Sequence, residues 1–115
     1  SQYNPINISK FKGKKLLAIA GIGNPDNFFN LLIDNNLNLE KKLIFPDHYK
    51  FAEREIKEIS IYADRNNYQI IMTEKDFFKI KRFNIKNIEY LKIELEIANK
   101  ENFIKRIKEI YDKKN

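Results

Sequence analysis

Lys15-Leu-Leu-Ala-Ile-Ala20 is a short, continuous apolar run that ends at Gly21. Such a run is the pattern of a strand covered on both faces, so the chain must fold in layers on either side of it. The following segments supply those layers. Residues 25–35 read as a helix, with Asn24 as N-cap, Pro25 at the first helical position where its missing N–H costs nothing, and Phe28, Phe29, Leu31 and Leu32 on the apolar side. A second strand over 40–45 stops at Pro46. Ala52, Ile56, Ile59 and Ala63 line one face of a helix running to about residue 66. Residues 68–72 form the third strand, and a helix follows over about 74–81. Leu91, Ile93, Leu95 and Ile97 alternate with Lys92, Glu94 and Glu96, the pattern of a fourth strand at a sheet edge with one wet face. Phe103, Ile104, Ile107, Ile110 and Tyr111 form the stripe of a closing helix. The series is βαβαβαβα. Right-handed crossovers make it an α/β fold, a small, mostly parallel four-stranded sheet with helices on both faces. Residues 13–115 are expected to be one α/β domain. Residues 1–12 stand outside the alternation and are expected to be the remnant of a connection to another domain.

Composition narrows the function classes. Hydrophobic residues at 43% and charged ones at 33% are a globular balance, and no apolar run approaches the roughly 20 residues that span a bilayer. The chain is expected to be soluble or at most peripheral to a membrane. It contains no cysteine, hence neither disulfides nor a thiolate metal site. The excess of 22 Lys+Arg over 16 Asp+Glu gives +6, but no basic cluster interleaves with aromatics as a nucleic-acid stacking platform would. No nucleic-acid partner is expected.

In a parallel sheet every strand-to-helix turn lies at the carboxyl edge, where ligands bind near the point at which strand order reverses. Three unusual turns therefore share one rim: Gly21-Ile-Gly-Asn-Pro25, Phe45-Pro-Asp-His-Tyr49 and Thr73-Glu-Lys-Asp76. The first can offer free N–H groups and a helix N-terminus to an anion, and Gly23 permits close approach to the main chain. It lacks the lysine and hydroxyl of GxxxxGK[ST] and the third glycine of GxGxxG. A tight turn with a good N-cap meets the same spacing. The second turn holds the chain's one histidine, His48, beside Asp47. Imidazole titrates near neutrality and can take a proton from a hydroxyl if a carboxylate holds its other nitrogen. Neighbouring side chains usually diverge, so Asp47 is not the natural partner, and a solvent-exposed loop histidine fits the residues as well. The third turn has capping-box spacing, Thr73 as N-cap and Asp76 three residues on, which leaves Glu74 and Lys75 over. A lysine at this rim can meet an anionic ligand.

Taken in order, Lys12 to Phe29, Phe45-Pro-Asp-His-Tyr49 and Met72-Thr-Glu-Lys-Asp-Phe-Phe-Lys79 resemble the carboxyl-terminal part of tetraacyldisaccharide 4'-kinase, the lipid A 4'-kinase of Gram-negative bacteria. The resemblance covers about residues 11–80. It implies an ATP- and Mg²⁺-dependent transfer of the γ-phosphoryl group to the 4'-hydroxyl of a lipid-linked disaccharide at the cytoplasmic face of the inner membrane. Family members carry a Walker A loop in an amino-terminal half that this sequence lacks. The chain is therefore expected to be the carboxyl-terminal lobe, inactive alone and binding neither ATP nor metal by itself, with that P-loop domain and the lipid A precursor as partners. By the same resemblance His48 is the catalytic histidine, working with an aspartate from the other half. Gly21, Gly23, Asn24, Asp47, Thr73, Glu74, Lys75 and Asp76 become candidates for the cleft wall or nucleotide contacts. Four positions depart from the family pattern, Phe77 and Phe78 among them, where two smaller residues usually follow Thr-Glu-Lys-Asp. Tyr49 stands where a second histidine is common, and Ala52 stands where Ser or Thr would cap the next helix, at a cost of about 1 kcal/mol.

Two other classes are compatible with the residues. One is a freestanding α/β receiver-like or partner-binding module without catalysis, although Ala18, Ala20 and Gly21 offer no aspartate cluster for a phosphoacceptor. The other is a basic surface meeting anionic lipid through Lys79, Lys81, Arg82, Lys86 and the last helix, the residues that also form an ordinary solvated face.

Overall fold

A computed structural model of the chain describes residues 3–5 and 7–95, with side chains described from 7 to 93. The expected closing helix over 103–111 lies outside the described residues. Strands β1 (Tyr3–Pro5), β2 (Lys15–Ala20), β3 (Asn38–Ile44), β4 (Tyr68–Thr73), β5 (Ile88–Leu91) and β6 (Ile93–Leu95) alternate with helices α1 (Pro25–Asp34), α2 (Glu53–Arg65) and α3 (Glu74–Ile80). The main sheet is four-stranded and all parallel, in the order β3-β2-β4-β5. The chain leaves β2 to one side for β3, crosses back over β2 to β4, and continues outward to β5. Strand order therefore reverses between β2 and β4.

Period-two alternation in the central strands divides the core into two layers. Leu16, Ala18, Ala20, Ile71 and Leu91 pack with Phe28, Phe29 and Leu32 of α1 on one face. Leu17, Ile19, Ile70, Met72 and Ile88 pack with Ile56 and Ala63 of α2 and Ile80 of α3 on the other. Leu16 to Ala20 and Ile70 to Met72 have no exposed surface, as a strand covered on both faces requires. The edge strand β3 is charged at Glu40, Lys41 and Lys42 and leaves Ile44 exposed. Asparagines do at the helix ends what glycine usually does. Asn36 at φ 62° closes α1 with its amide donated to Ile33 O and the Leu37 amide to Leu32 O, which brings Leu37 into the core. Asn67 at φ 59° follows α2 in the same way.

Three readings from the sequence are corrected here. The fourth sheet strand is 88–91, not 91–97, because the chain breaks away after Leu91. Asn7 makes the break: its side-chain amide donates to Tyr90 O at 2.9 Å, and its carbonyl accepts the Lys92 amide at 2.8 Å. Residues 93–95 then pair antiparallel with β1 in a separate two-stranded sheet. Residues 7–12 are not outside the packing, since a 3₁₀ turn over Ile8–Phe11 buries Phe11 in the α1 layer. Asn24 precedes α1, but its side chain makes no capping hydrogen bond.

Candidate functional site

At the carboxyl edge the three turns meet around two carboxylates. Asp76, in the first turn of α3, has no exposed surface. Its Oδ2 accepts the Gly21 amide at 2.7 Å across the point where strand order reverses, and its own amide donates to Thr73 Oγ1 at 3.2 Å. Thr73 is thus the N-cap, as its spacing implied. The reciprocal half of a capping box is missing, because the Asp76 carboxylate reaches another turn instead of the Thr73 backbone. The expectation of a freely available amide at Gly21 is overturned by the same bond. The other oxygen, Oδ1, lies 3.3 Å from Lys79 Nζ, and beyond this ion pair neither atom has a hydrogen-bond partner among the described residues. No space is left at Gly21: a methyl there would stand 3.2 Å from Phe51 Cζ and 3.4 Å from Asp76 Oδ1.

The Asp47-His48 turn is held from its two ends. Phe45, Tyr49 and Phe51 form a triangle of rings with centroids 4.9 to 5.2 Å apart, each pair in a geometry that attracts. Tyr49 also donates its hydroxyl to Glu55 Oε2 at 2.8 Å. That hydrogen bond, then partial burial, then the Glu55 charge raise the phenol above its ordinary value of 10.0. The turn closes with the Tyr49 amide on Pro46 O at 3.1 Å. His48 adopts φ 63°, the left-handed region that histidine visits more readily than most residues, while its amide donates to Asp47 Oδ1 at 3.0 Å. Asp47 Oδ2 then faces two ways. It lies 3.7 Å from His48 Nε2, beyond a hydrogen bond, and 3.4 Å from where a methyl on Gly23 would sit. The reading that these neighbours diverge is therefore corrected, because the left-handed residue turns the imidazole back toward the carboxylate. The imidazole is 83% exposed.

Gly21, Gly23, Asp47, Thr73 and Asp76 are brought together, with His48 beside them. Asn24 follows as the residue before α1, whereas Glu74 and Lys75 make no side-chain bond among the described residues and Lys75 is exposed. Sequence reasoning missed Phe51, and placed Lys79 only on a lipid-facing basic surface. The aromatic spacing of Phe45, Tyr49 and Phe51 around the turn was the available signal for the first. For Lys79 the signal was its place three residues after Asp76, the i,i+3 spacing of an ion pair on one helix, although nothing local says that the acid is buried.

These features define an α/β domain whose parallel sheet carries a glycine turn and an Asp-His turn side by side at its carboxyl edge, near the switch point. Residues 2–112 match the model of the LpxK family, tetraacyldisaccharide-1-phosphate 4'-kinase. The tetraacyldisaccharide 4'-kinase of Pelagibacter ubique is 34% identical over 113 residues, which is 97% of this chain and 36% of that protein. That of Rickettsia akari is 39% identical over 88 residues, 76% of this chain and 27% of that protein. The crystal structure of LpxK from Aquifex aeolicus in complex with ATP superposes with a TM-score of 0.55 at 23% identity, over 89% of this chain and 30% of that one. The chain belongs to the tetraacyldisaccharide-1-phosphate 4'-kinase family. It spans about a third of the length of the curated relatives it matches, 36% of the first and 27% of the second.

Proposed function

We propose that the chain is the carboxyl-terminal lobe of a kinase that transfers the ATP γ-phosphate to the 4'-hydroxyl of a tetraacyldisaccharide 1-phosphate in lipid A biosynthesis. The family's name supports the acceptor, and the ATP complex of the Aquifex aeolicus relative supports the nucleotide. The observation that carries the reading is the Pro46–Tyr49 turn, which presents His48 at the carboxyl edge beside the glycine turn. Phosphoryl transfer asks little covalent chemistry of a protein and much positioning. His48 orients the attacking hydroxyl and accepts its proton, and Asp47 or an aspartate of the other lobe holds the second ring nitrogen. With the Gly21 amide committed to Asp76, the amides of Ile22 and Gly23, with Thr73, Glu74 and Lys75, are what this rim offers to the nucleotide.

Among the described residues no three His, Cys, Asp or Glu side chains gather closely enough to ligate a metal ion. In this reading the ligands of Mg²⁺ belong to the amino-terminal P-loop lobe, joined through the segment around residues 1–12. Among the described residues no helix is long and apolar enough to cross a membrane. In this reading the full kinase meets the cytoplasmic face of the inner membrane peripherally.

The test is kinetic, in the full-length kinase. His48→Asn suits the left-handed turn. It should lower kcat about 10²- to 10⁴-fold, the share of a general base, with KM for both substrates little changed. An unaltered kcat ends the assignment of His48. The 115-residue chain alone should show no turnover, and phosphorylation of the disaccharide by it would end the lobe reading.

A further inference from the structure

Behind His48 the turn opens into a cleft of about 590 Å³ lined by His48, Tyr49, Lys50, Phe51, Lys79 and Arg82. None of these six is a carboxylate, and the Tyr49 hydroxyl is already spent on Glu55. Lys50, Lys79, Arg82 and His48 therefore line one space, although the Lys79 ammonium itself is closed off from solvent. They are not equivalent. Arg82 is set by its Nη1, which donates to Lys79 O at 2.6 Å, and by its guanidinium, 4.6 Å from the Phe83 ring centre. Lys79 has its ammonium out of water, 3.3 Å from Asp76 Oδ1, with no hydrogen bond from any of its three N–H donors among the described residues. A buried ammonium so under-used is costly unless something accepts from it. An oxyanion with several acceptor oxygens does so, and a guanidinium fork beside an ammonium is the donor set that phosphate recognition uses.

We propose that this cleft is a phosphate subsite for the acceptor, binding the sugar 1-phosphate that the substrate carries in addition to its reacting hydroxyl. The assignment rests on the kinase reading above, because it is His48 that places the acceptor, and not the nucleotide, on this side of the ledge. Lys79 receives the phosphate from below and Lys50 and Arg82 close on it from the rim. The acceptor is then held at two points, which fixes the orientation of the hydroxyl at His48.

The experiment uses the full-length kinase with the acceptor in detergent micelles, supplied with and without its 1-phosphate. Lys50→Gln/Arg82→Gln changes two exposed side chains, so folding is not at stake. It should raise KM for the phosphorylated acceptor about tenfold or more, the scale of lost charge-assisted hydrogen bonds. KM for the dephosphorylated acceptor and for ATP should stay unchanged. Arg82→Lys alone should give a smaller rise. Lys41→Gln/Lys86→Gln, with the same charge change away from the cleft, should give none. Equal losses with both acceptors, a rise in the ATP KM alone, or no change would each overturn the subsite. So would an effect confined to sedimentation with anionic phosphatidylglycerol vesicles, which would make the cleft a membrane contact. A wild-type enzyme that phosphorylates neither acceptor refutes the kinase reading and the subsite with it. An active wild type with an indifferent double variant refutes the subsite alone.

Discussion

Replacing Asp76 tests the bond that joins the glycine turn to the threonine-capped turn. Asp76→Ala removes a charge-assisted acceptor from the Gly21 amide, a loss of about 1.5–3 kcal/mol, and leaves that buried N–H unsatisfied. It also strands Lys79. Breaking a buried pair costs about 3–5 kcal/mol, but the Lys79 side chain is 28% exposed and can swing toward water, so only part of that applies. The two losses overlap, giving about 3 kcal/mol in all. Asp76→Asn keeps an acceptor for Gly21 and loses only the charge, and should cost about 1–2 kcal/mol. With a urea slope of about 1–3 kcal/mol per molar, the midpoint of the alanine variant should fall by about 1 M or more, and that of the asparagine variant by roughly half as much. Hydrogen exchange at the Gly21 amide separates a local from a global effect: it should quicken beyond the global change in Asp76→Ala and not in Asp76→Asn. Equal destabilisation of the two variants, or a Gly21 amide as protected as before, would refute the idea that this bond holds the glycine turn.

Three further outcomes follow from single contacts. The residue before α2 is extended at φ −83° and ψ 145° but is an alanine, so Ala52→Ser should add the missing cap and about 1 kcal/mol of stability, read as a higher urea midpoint; a lower midpoint would exclude the capping geometry. Gly21→Ala forces its methyl against Phe51 and the Asp76 carboxylate and should cost about 1–3 kcal/mol, and an unchanged melting temperature would show that the turn has slack. The folded chain holds the Tyr49 proton more tightly than the unfolded one. The stability this contributes is complete below the unfolded value of 10.0 and fades as pH rises through the higher folded value. The wild type should therefore lose stability more steeply above that pH than Tyr49→Phe, and parallel curves would remove the Glu55 bond from the account.

The sequence showed what depends on local period and hid what depends on a partner far along the chain. Lys15 to Ala20 and the Ala52, Ile56, Ile59, Ala63 stripe were legible because burial on both faces, or on one helical face, is written in consecutive residues. The best alternation in the chain, 91 to 97, misled because a strand's period does not say which strand it joins. Asn7, more than 80 residues upstream of its bonding partners, decides that. The start of β5 is fixed in the same non-local way: Asn87 accepts from Ser60 Oγ at 2.6 Å and from Gln69 Nε2 at 2.9 Å, tying α2 and β4 to the residue just before the strand. Asp76 was the hardest residue to read. Thr73 and Asp76 meet the capping-box spacing whether the carboxylate turns back to Thr73 or across to Gly21, and only the fold separates the two.

The bond from Asp76 also bears on what the site can do alone. A glycine turn that has already given an amide to a buried carboxylate is poorer as an anion cradle and more rigid as a wall. Its stiffness passes to Asp47, which packs on Gly23, and through Asp47 to the backbone of His48. The imidazole is placed by all this, yet at 83% exposure it competes with bulk water for every hydrogen bond it makes. Proton transfer to such a group gains little until water is excluded. In the proposed kinase that exclusion comes from the lobe carrying the phosphate cradle, so substrate closure and the assembly of the base are one event. A variant that loosens the ledge without touching substrate, Asp76→Ala above all, should then depress kcat in the full-length enzyme while leaving ATP affinity intact. A rise in the ATP KM with unchanged kcat would mean instead that the glycine turn grips the nucleotide directly.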